Sequence, residues 1–154
     1  SACDLGPVCE AALEDIRTGN PEQQFVQRMS GDLTLQGDSA RMQQVLSNLL
    51  SNAVQHGNRQ SPITLTAEGE PDAVVLKVSN SGDPIPLHAL QAIFEPLVQA
   101  PNANSDMHER SKTSLGLGLF IVREIVLAHG GSISVESSLD AGTVFTIRIP
   151  RTTV

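Results

Sequence analysis

Residues 38–56 read DSARMQQVLSNLLSNAVQH, and this stretch carries the clearest secondary-structure pattern in the 154-residue chain. Its apolar residues recur at alternating steps of three and one, which places them on one face of an α-helix. These residues are Met42, Val45, Leu46, Leu49, Leu50 and Ala53. Asp38 suits the N-cap position, and Gly57 directly after His56 is typical of a helix end. The stretch therefore predicts a long amphipathic helix that packs against the rest of a domain.

A strip of polar side chains borders the apolar face of this helix. At about 100° per residue, Arg41, Asn48, Asn52 and Gln55 fall together along one edge. Carboxamide oxygens are neutral, hard ligands that suit a Mg²⁺ ion whose other ligands are waters and phosphate oxygens. From this helix alone, a solvent-exposed flank of ordinary polar residues remains an open alternative.

The rest of the chain contains further helix and strand patterns. We expect helices over Asp4–Thr18, Leu87–Ile93 and Leu115–His129, and strands over Gln24–Met29, Leu33–Gln36, Ile63–Ala67, Ala73–Ser79, Ile133–Glu136 and Thr143–Ile149. Residues 97–114 show no usable period, and we interpret them as a mobile lid, with plain disorder as the alternative. The order of elements predicts one α/β (α+β) domain over residues 1–154, with a mostly antiparallel sheet covered by helices on one face.

Composition narrows the classes of function. Ten Lys and Arg residues against seventeen Asp and Glu residues give a net charge of −7, which argues against a nucleic-acid partner and against direct contact with an anionic membrane. The longest apolar run, Leu117–Val122, is far shorter than the roughly 18 residues that span a bilayer. Cys3 and Cys9 lack metal-site spacing and are interpreted as reduced thiols. We therefore expect a soluble, cytoplasmic domain, and the absence of an initiator Met suggests a fragment of a larger protein.

A turn with chemistry-bearing residues follows the predicted strand Ala73–Ser79. Residues 80–86 read NSGDPIP, which places an amide side chain, Asn80, on a tight turn. Gly82 would permit close backbone approach of a planar ring, and Ile85 could form the apolar floor beneath it. Turns of this kind are common, however, and a simple chain reversal is the alternative.

A glycine pair, Gly116 and Gly118, opens the predicted helix Leu115–His129. Free N–H groups at a helix N-terminus form an anion site, to which Arg110 and Lys112 could add positive charge. The alternative is that the glycines ease helix packing. The pattern is neither a dinucleotide-binding fingerprint nor a phosphate-binding P-loop, because it lacks the third glycine and the chain contains no Gly-Lys-Ser/Thr.

Taken in order, these segments resemble the motifs of the catalytic, ATP-binding domain of sensor histidine kinases, in the superfamily shared with gyrase B, Hsp90 and MutL (GHKL). The corresponding segments are Arg41–Ala53 (N box), Asn80–Pro86 (G1 box), Phe94–Pro96 (F box), Gly116–Val126 (G2 region) and Gly142-Thr143 (the last glycine-threonine motif). The resemblance extends from about Leu5 to Arg151. The form of the G1 box is similar to that of bacteriophytochrome-like kinases.

The resemblance implies a two-layer sandwich of the Bergerat type, with a mixed sheet of about five strands covered by about three helices. It also implies that ATP lies between the N-box helix and the lid, with Asn52 as the Mg²⁺ ligand. Asn48 matches the position where ATPase relatives carry a glutamate that activates water. Because an amide cannot accept that proton, transfer of the phosphoryl group is favoured over hydrolysis.

The resemblance further implies a set of nucleotide-binding residues. They are Asn48, Asn52, Gln55, His56, Asn80, Gly82, Ile85, Lys112, Gly116, Leu117, Gly118, Leu119 and Thr143. Gln55 falls where many members carry a phosphate-contacting Lys, and His56 falls where an aromatic ring often covers the adenine, with a helix-end role as the alternative. Asn80 replaces the usual Asp, and Pro84 replaces the second glycine of that box. We expect weaker or less base-selective binding, because the hydrogen bond to adenine loses its charge assistance.

The implied function is donation of the γ-phosphoryl group of Mg-ATP to a histidine on a separate dimerisation domain, and from there to a response regulator. None of the four histidines, His56, His88, His108 and His129, matches the family's acceptor motif, so we expect the acceptor domain to precede residue 1. Two alternatives stay open. The chain could be a superfamily ATPase or Ser kinase, or a non-catalytic, nucleotide-dependent interaction module.

Overall fold

A computed structural model describes residues 2–57, 60–82, 107–138 and 142–152. These residues form ten elements in the order β1 (Ala2–Asp4), α1 (Leu5–Gly19), β2 (Phe25–Ser30), β3 (Thr34–Gln36), α2 (Ser39–His56), β4 (Ile63–Gly69), β5 (Ala73–Asn80), α3 (Met107–Ala128), β6 (Ser132–Ser138) and β7 (Gly142–Pro150). In these ranges, no helix is both long and apolar enough to cross a membrane.

The main sheet has five strands in the order β2-β4-β5-β7-β6. The β2–β4 pair is parallel and the other three pairs are antiparallel, which confirms the prediction of a mixed, mostly antiparallel sheet. β3 does not join this sheet, because it pairs with β1 in a separate two-stranded sheet. β1 was not predicted, since its three residues are too few to show an alternating pattern.

The helices cover one face of the main sheet, as predicted. Leu65, Leu76 and Ile147 are at most 1% exposed and face the helical layer. Their neighbours Lys77 and Thr146, paired across β5 and β7, lie on the opposite, polar face. α2 packs between α1 and α3 and also contacts β4 and β5, so the polar edge of α2 is positioned by both layers.

The prediction for α2 is confirmed closely. Asp38 is the N-cap, and its Oδ1 accepts hydrogen bonds from the backbone N–H groups of Ala40 and Arg41 at 3.0 and 3.2 Å. The helix ends at His56, where the N–H of Gly57 donates to the Ala53 carbonyl at 2.8 Å. All six residues of the predicted apolar face are at most 1% exposed.

The structure corrects the start of α3. This helix begins at Met107, eight residues before the predicted Leu115, so residues 107–114 are helical. They lack an apolar period, which is why the pattern missed them, but Met, Glu, Arg and Lys are good helix formers and the segment contains no Gly or Pro. The predicted helix Leu87–Ile93, the F-box segment and residues 97–106 of the predicted lid lie outside the described residues.

Candidate functional site

α2 and α3 lie side by side and run antiparallel. Near the middle of α2, Asn48 Nδ2 donates to the Gly118 carbonyl oxygen at 3.4 Å. At its start, the backbone N–H of Asp38 donates to His129 Nε2 at 3.2 Å. Asn48 comes ten residues after Asp38, and Gly118 comes eleven residues before His129. The two contacts are therefore separated by nearly the same length of each helix, as expected for an antiparallel pair. The structure therefore brings together Asn48 and Gly118, two residues of the predicted site.

Asn52, one turn beyond Asn48, contains an unsatisfied acceptor. The residue is 6% exposed, and its Oδ1 is a buried atom without a hydrogen-bond partner. In the described part of the chain it is the only buried side-chain nitrogen or oxygen in that condition. A buried polar atom left in this state costs about 1–3 kcal/mol, so this oxygen is an acceptor that a bound ligand could satisfy.

The Asn52 oxygen has the chemistry that a magnesium ion requires. It is neutral and hard, and Mg²⁺ commonly takes only one or two protein oxygens and fills its remaining positions with water and phosphate. Within the described ranges, no group of three or more His, Cys, Asp or Glu side chains is placed to hold a metal ion. A metal at this position would therefore depend on the amide together with a phosphate ligand, and the residues present fit that arrangement.

The ends of three strands place a second group of polar side chains on the helix-facing side of the sheet. Asn80 on β5 pairs with Thr143 on β7, and Thr143 pairs with Ser137 on β6. Asn80 and Thr143 are 8% and 6% exposed. The hydroxyl oxygens of Thr143 and Ser137 are 2.8 Å apart and share a hydrogen bond, while Asn80 Nδ2 donates to the Ser81 carbonyl at 3.4 Å. Asn80 and Thr143 are buried and Ser137 is half-buried, so the row offers the few placed polar groups that could orient a planar ligand.

Two glycines permit close approaches to Asn80, the first residue of this row. A Cβ on Gly57, directly after α2, would lie 3.1 Å from Asn80 Nδ2 and 2.6 Å from the Ala53 carbonyl oxygen. Gly142 has φ of 71°, and a Cβ there would lie 2.1 Å from the Asn80 carbonyl oxygen. Only glycine fits this conformation and this approach. The glycine-threonine motif therefore has a physical basis, and the C-terminal end of α2 is packed against the end of β5.

Other predicted site residues are placed differently. The side chains of Gln55 and His56 are exposed at the end of α2, and Gly82 is half-buried. Leu119 is 1% exposed and belongs to the hydrophobic core, so its side chain packs inward. Ile85 lies outside the described residues.

The glycine pair does not open a helix. Gly116 and Gly118 lie nine and eleven residues after the start of α3, where backbone N–H groups bond within the helix. The prediction that they provide free donors at a helix N-terminus is therefore wrong for this structure. The nucleotide contacts expected of Lys112, Gly116, Leu117 and Gly118 stay predictions.

The two cysteines are not part of a reactive site. Both are free and buried, with Cys3 1% and Cys9 0% exposed. Burial, reinforced by the charges of Glu10 and Asp4, raises the pKa of the Cys9 thiol to about 12. Because the thiolate is the nucleophilic form, this thiol is inert at neutral pH.

Two polar residues outside the predicted set make contacts with the elements that carry the candidate site. Ser137 shares a hydrogen bond with Thr143, and His129 joins the end of α3 to the start of α2. Neither contact has a local signal, because strand pairing and helix pairing join residues far apart in the chain.

Comparison with known proteins identifies the family. Residues 37–153 match the family model for "Histidine kinase-, DNA gyrase B-, and HSP90-like ATPase" domains. A curated relative, the sensor protein CzcS of Cupriavidus metallidurans, is 41% identical over 129 residues, which cover 84% of this chain and 26% of that protein. The chain thus spans about a quarter of the length of this relative.

Solved structures agree with this match. The catalytic domain of histidine kinase ThkA has a TM-score of 0.80 and 29% identity, covering 99% of this chain and 98% of that one. The structure of ThkA in complex with the response regulator TrrA has a TM-score of 0.77 and 29% identity, covering 99% of this chain and 42% of that one. Full-length ShkA in complex with AMPPNP has a TM-score of 0.79 and 26% identity, covering 100% of this chain and 31% of that one. The chain belongs to this ATPase family and is a catalytic domain of the sensor histidine kinase type.

Proposed function

We propose that this domain binds Mg-ATP and donates the γ-phosphoryl group to a histidine on a separate dimerisation domain, from which the group passes to a response regulator. The observation that carries the proposal is the buried Asn52 Oδ1, which has no hydrogen-bond partner in the protein. The sensor-kinase relatives, the ThkA–TrrA complex and the AMPPNP complex of ShkA support the reaction class and the ligand.

Each polar group of the site then has a role. Asn52 Oδ1 would hold the magnesium ion, which when bound neutralises charge on the phosphate oxygens. Asn80 would orient the base, because its amide is buried at the end of β5 and can both donate and accept. Thr143, hydrogen-bonded to Ser137, would complete the wall beside that amide. Catalysis of this kind depends on position and electrostatics more than on covalent chemistry.

The chemistry of Asn48 favours transfer over hydrolysis. Its side-chain nitrogen donates to the Gly118 carbonyl, so the amide is oriented by α3. A carboxamide has no basic site that could take a proton from water, and the site therefore lacks a general base at this position. A nucleophile supplied by another domain is the acceptor that fits, which distinguishes the kinase from the superfamily ATPases.

A second candidate is a nucleotide-dependent interaction module without transfer activity. The observation that favours it is Asn80, since an amide in place of a carboxylate gives a weaker hydrogen bond to the base. Weak nucleotide binding could then regulate contacts with a partner domain without supporting phosphoryl transfer.

Phosphoryl transfer to a separately purified acceptor domain tests the proposal. The chain is incubated with γ-labelled ATP, Mg²⁺ and the helical acceptor domain of the same kinase, and acid-labile phosphate on that domain is measured. We expect labelling with the wild type and with Asn20→Ala, a matched control whose side chain only donates to the Ile16 carbonyl. We expect none with Asn52→Ala. ATP binding without transfer would support the interaction module, and absence of ATP binding would overturn the proposal.

A further inference from the structure

We infer that His129 is a positioning residue that sets the register between α2 and α3, and through it the placement of Asn48 and Asn52. Its Nε2 accepts from the backbone N–H of Asp38 at 3.2 Å, and its Nδ1 lies 2.8 Å from the Ile125 carbonyl oxygen. An acceptor at Nε2 and a donor at Nδ1 define a neutral imidazole with its proton on Nδ1. The inference rests on the proposed function, since the residues that it positions are those of the nucleotide site.

The geometry gives His129 control over the register of the helix pair. Along a helix, ten residues correspond to about 15 Å, so the Asp38–His129 contact lies about that far from the Asn48–Gly118 contact. Two hydrogen bonds this far apart join the same pair of helices. A slide by one residue, about 1.5 Å, would break both contacts. Asn52 is on the same rigid helix and would be displaced together with Asn48.

Gly37 provides the space for the imidazole. A Cβ on Gly37 would lie 2.9 Å from His129 Cδ2 and 3.1 Å from Nε2, and also 2.8 Å from Leu35 Cδ1. Gly37 has no positive φ, so the backbone conformation does not demand glycine here. The absence of a side chain is instead explained by the ring that occupies this space. His129 therefore fits a slot beside Gly37, at the start of α2 and the end of α3.

Asp38 links the slot to the nucleotide-binding helix. As the N-cap, it binds the N–H groups of Ala40 and Arg41 through Oδ1, and its own N–H is bound by His129. The first turn of α2 is thus fixed to the last turn of α3 through one residue. Loss of the His129 acceptor would free this turn while leaving the apolar face of α2 packed.

Nucleotide affinity of three variants tests the inference. We expect His129→Ala to weaken Mg-ATP binding by about three- to tenfold, the range for loss of one hydrogen bond, in calorimetry on the folded chain. His129→Gln should restore affinity to within about twofold of wild type, because an amide can accept from Asp38 and donate to Ile125. The matched control is Leu127→Ala, which removes a 47% exposed side chain two residues away and should change nothing.

A purely structural role would give a different pattern, in which His129→Ala lowers the unfolding free energy but the folded protein binds ATP as tightly as wild type. That result would overturn the inference. If His129→Ala does not fold, Gly37→Ala is used, since its Cβ would meet the ring and should weaken ATP binding, with Leu127→Ala again as the control. A second test needs no nucleotide and uses the NMR resonance of the Asn48 side-chain amide. This resonance should shift in His129→Ala and not in Leu127→Ala. An unshifted resonance would contradict the inference even if the proposed function failed.

Discussion

The two ends of the central strands β5 and β7 differ in whether nearby polar groups are hydrogen-bonded within the protein. At the end where Ala73 pairs with Pro150, the Arg151 guanidinium donates to the carbonyl oxygens of Asp32, Thr34 and Glu70 at 2.6, 2.6 and 2.7 Å. At the opposite end, next to α2, the buried Asn52 Oδ1 has no partner. We therefore expect the hydrogen-bonded end to contribute to stability, and we place the proposed ligand site at the end with the unsatisfied acceptor.

The largest effect is expected at the unsatisfied end. Asn52→Ala should weaken Mg-ATP binding by at least about 100-fold, because loss of even an outer-shell partner of a metal costs about 10- to 100-fold. The unfolding free energy should not fall, because the variant removes a buried oxygen that makes no hydrogen bond in the protein and so costs stability. Calorimetry and chemical denaturation measure the two quantities. If Asn52→Ala lost stability but kept its ATP affinity, the proposal that Asn52 serves ligand binding would be contradicted.

The opposite pattern is expected at the saturated end. Arg151→Ala should lower the unfolding free energy by about 2–3 kcal/mol, because three carbonyl oxygens lose a charged donor that is only 20% exposed. ATP affinity should stay within about twofold of wild type. Arg151→Lys should recover only part of the stability, since an ammonium lacks the planar fork that reaches all three oxygens. Denaturation curves for the three proteins check this, and a large loss of ATP affinity would contradict it.

A smaller effect is expected from Asn80→Asp. A carboxylate accepts a charge-assisted hydrogen bond that is roughly twice as strong as the neutral one, and it cannot donate to a guanine carbonyl. We therefore expect ATP affinity to rise by about fivefold and discrimination against GTP to increase. Competition binding of the two nucleotides measures the ratio. An unchanged ratio would mean that Asn80 does not read the base.

The smallest effect is expected for Asp32, whose carboxylate is exposed near Arg151. Hydrogen bonds from the Thr34 hydroxyl and N–H, at 2.7 and 3.0 Å, lower the pKa of Asp32, with a further contribution from Arg151. Because the folded pKa lies below the unfolded one, the stabilisation is present above the ordinary Asp pKa and is lost as the pH falls through the folded value. Asp32→Asn should therefore be slightly less stable than wild type at neutral pH and equal to it in acid. Denaturation across this pH range checks the prediction, and a pH-independent difference would refute it.

Local patterns predicted α2 well. Its apolar period and the Asp38 cap both lie within the helix itself, and both appear in the structure as expected. The start of α3 was predicted eight residues too late, because residues 107–114 have helix propensity without an apolar period. The position of such a helix end depends on small differences in the helix propensity of individual residues. A pattern of apolar residues gives no information about these differences.

The residues of the candidate site could be proposed from the sequence, whereas their geometry could not. Asn52 and Asn80 belong to motifs that lie far apart in the chain, and only the structure shows that Gly57, at the end of α2, lies close to Asn80. Packing between separate elements determines both the unsatisfied state of Asn52 Oδ1 and the slot around His129. A local stretch of sequence therefore cannot predict either feature.

The most direct test of the central claim is the crystal structure of this domain with Mn²⁺ in place of Mg²⁺ and a non-hydrolysable ATP analogue. The anomalous signal locates the metal independently of the protein. The account predicts that the metal lies about 2.1 Å from Asn52 Oδ1 and also contacts phosphate oxygens. A metal bound to the phosphates with Asn52 Oδ1 outside its coordination sphere would contradict it.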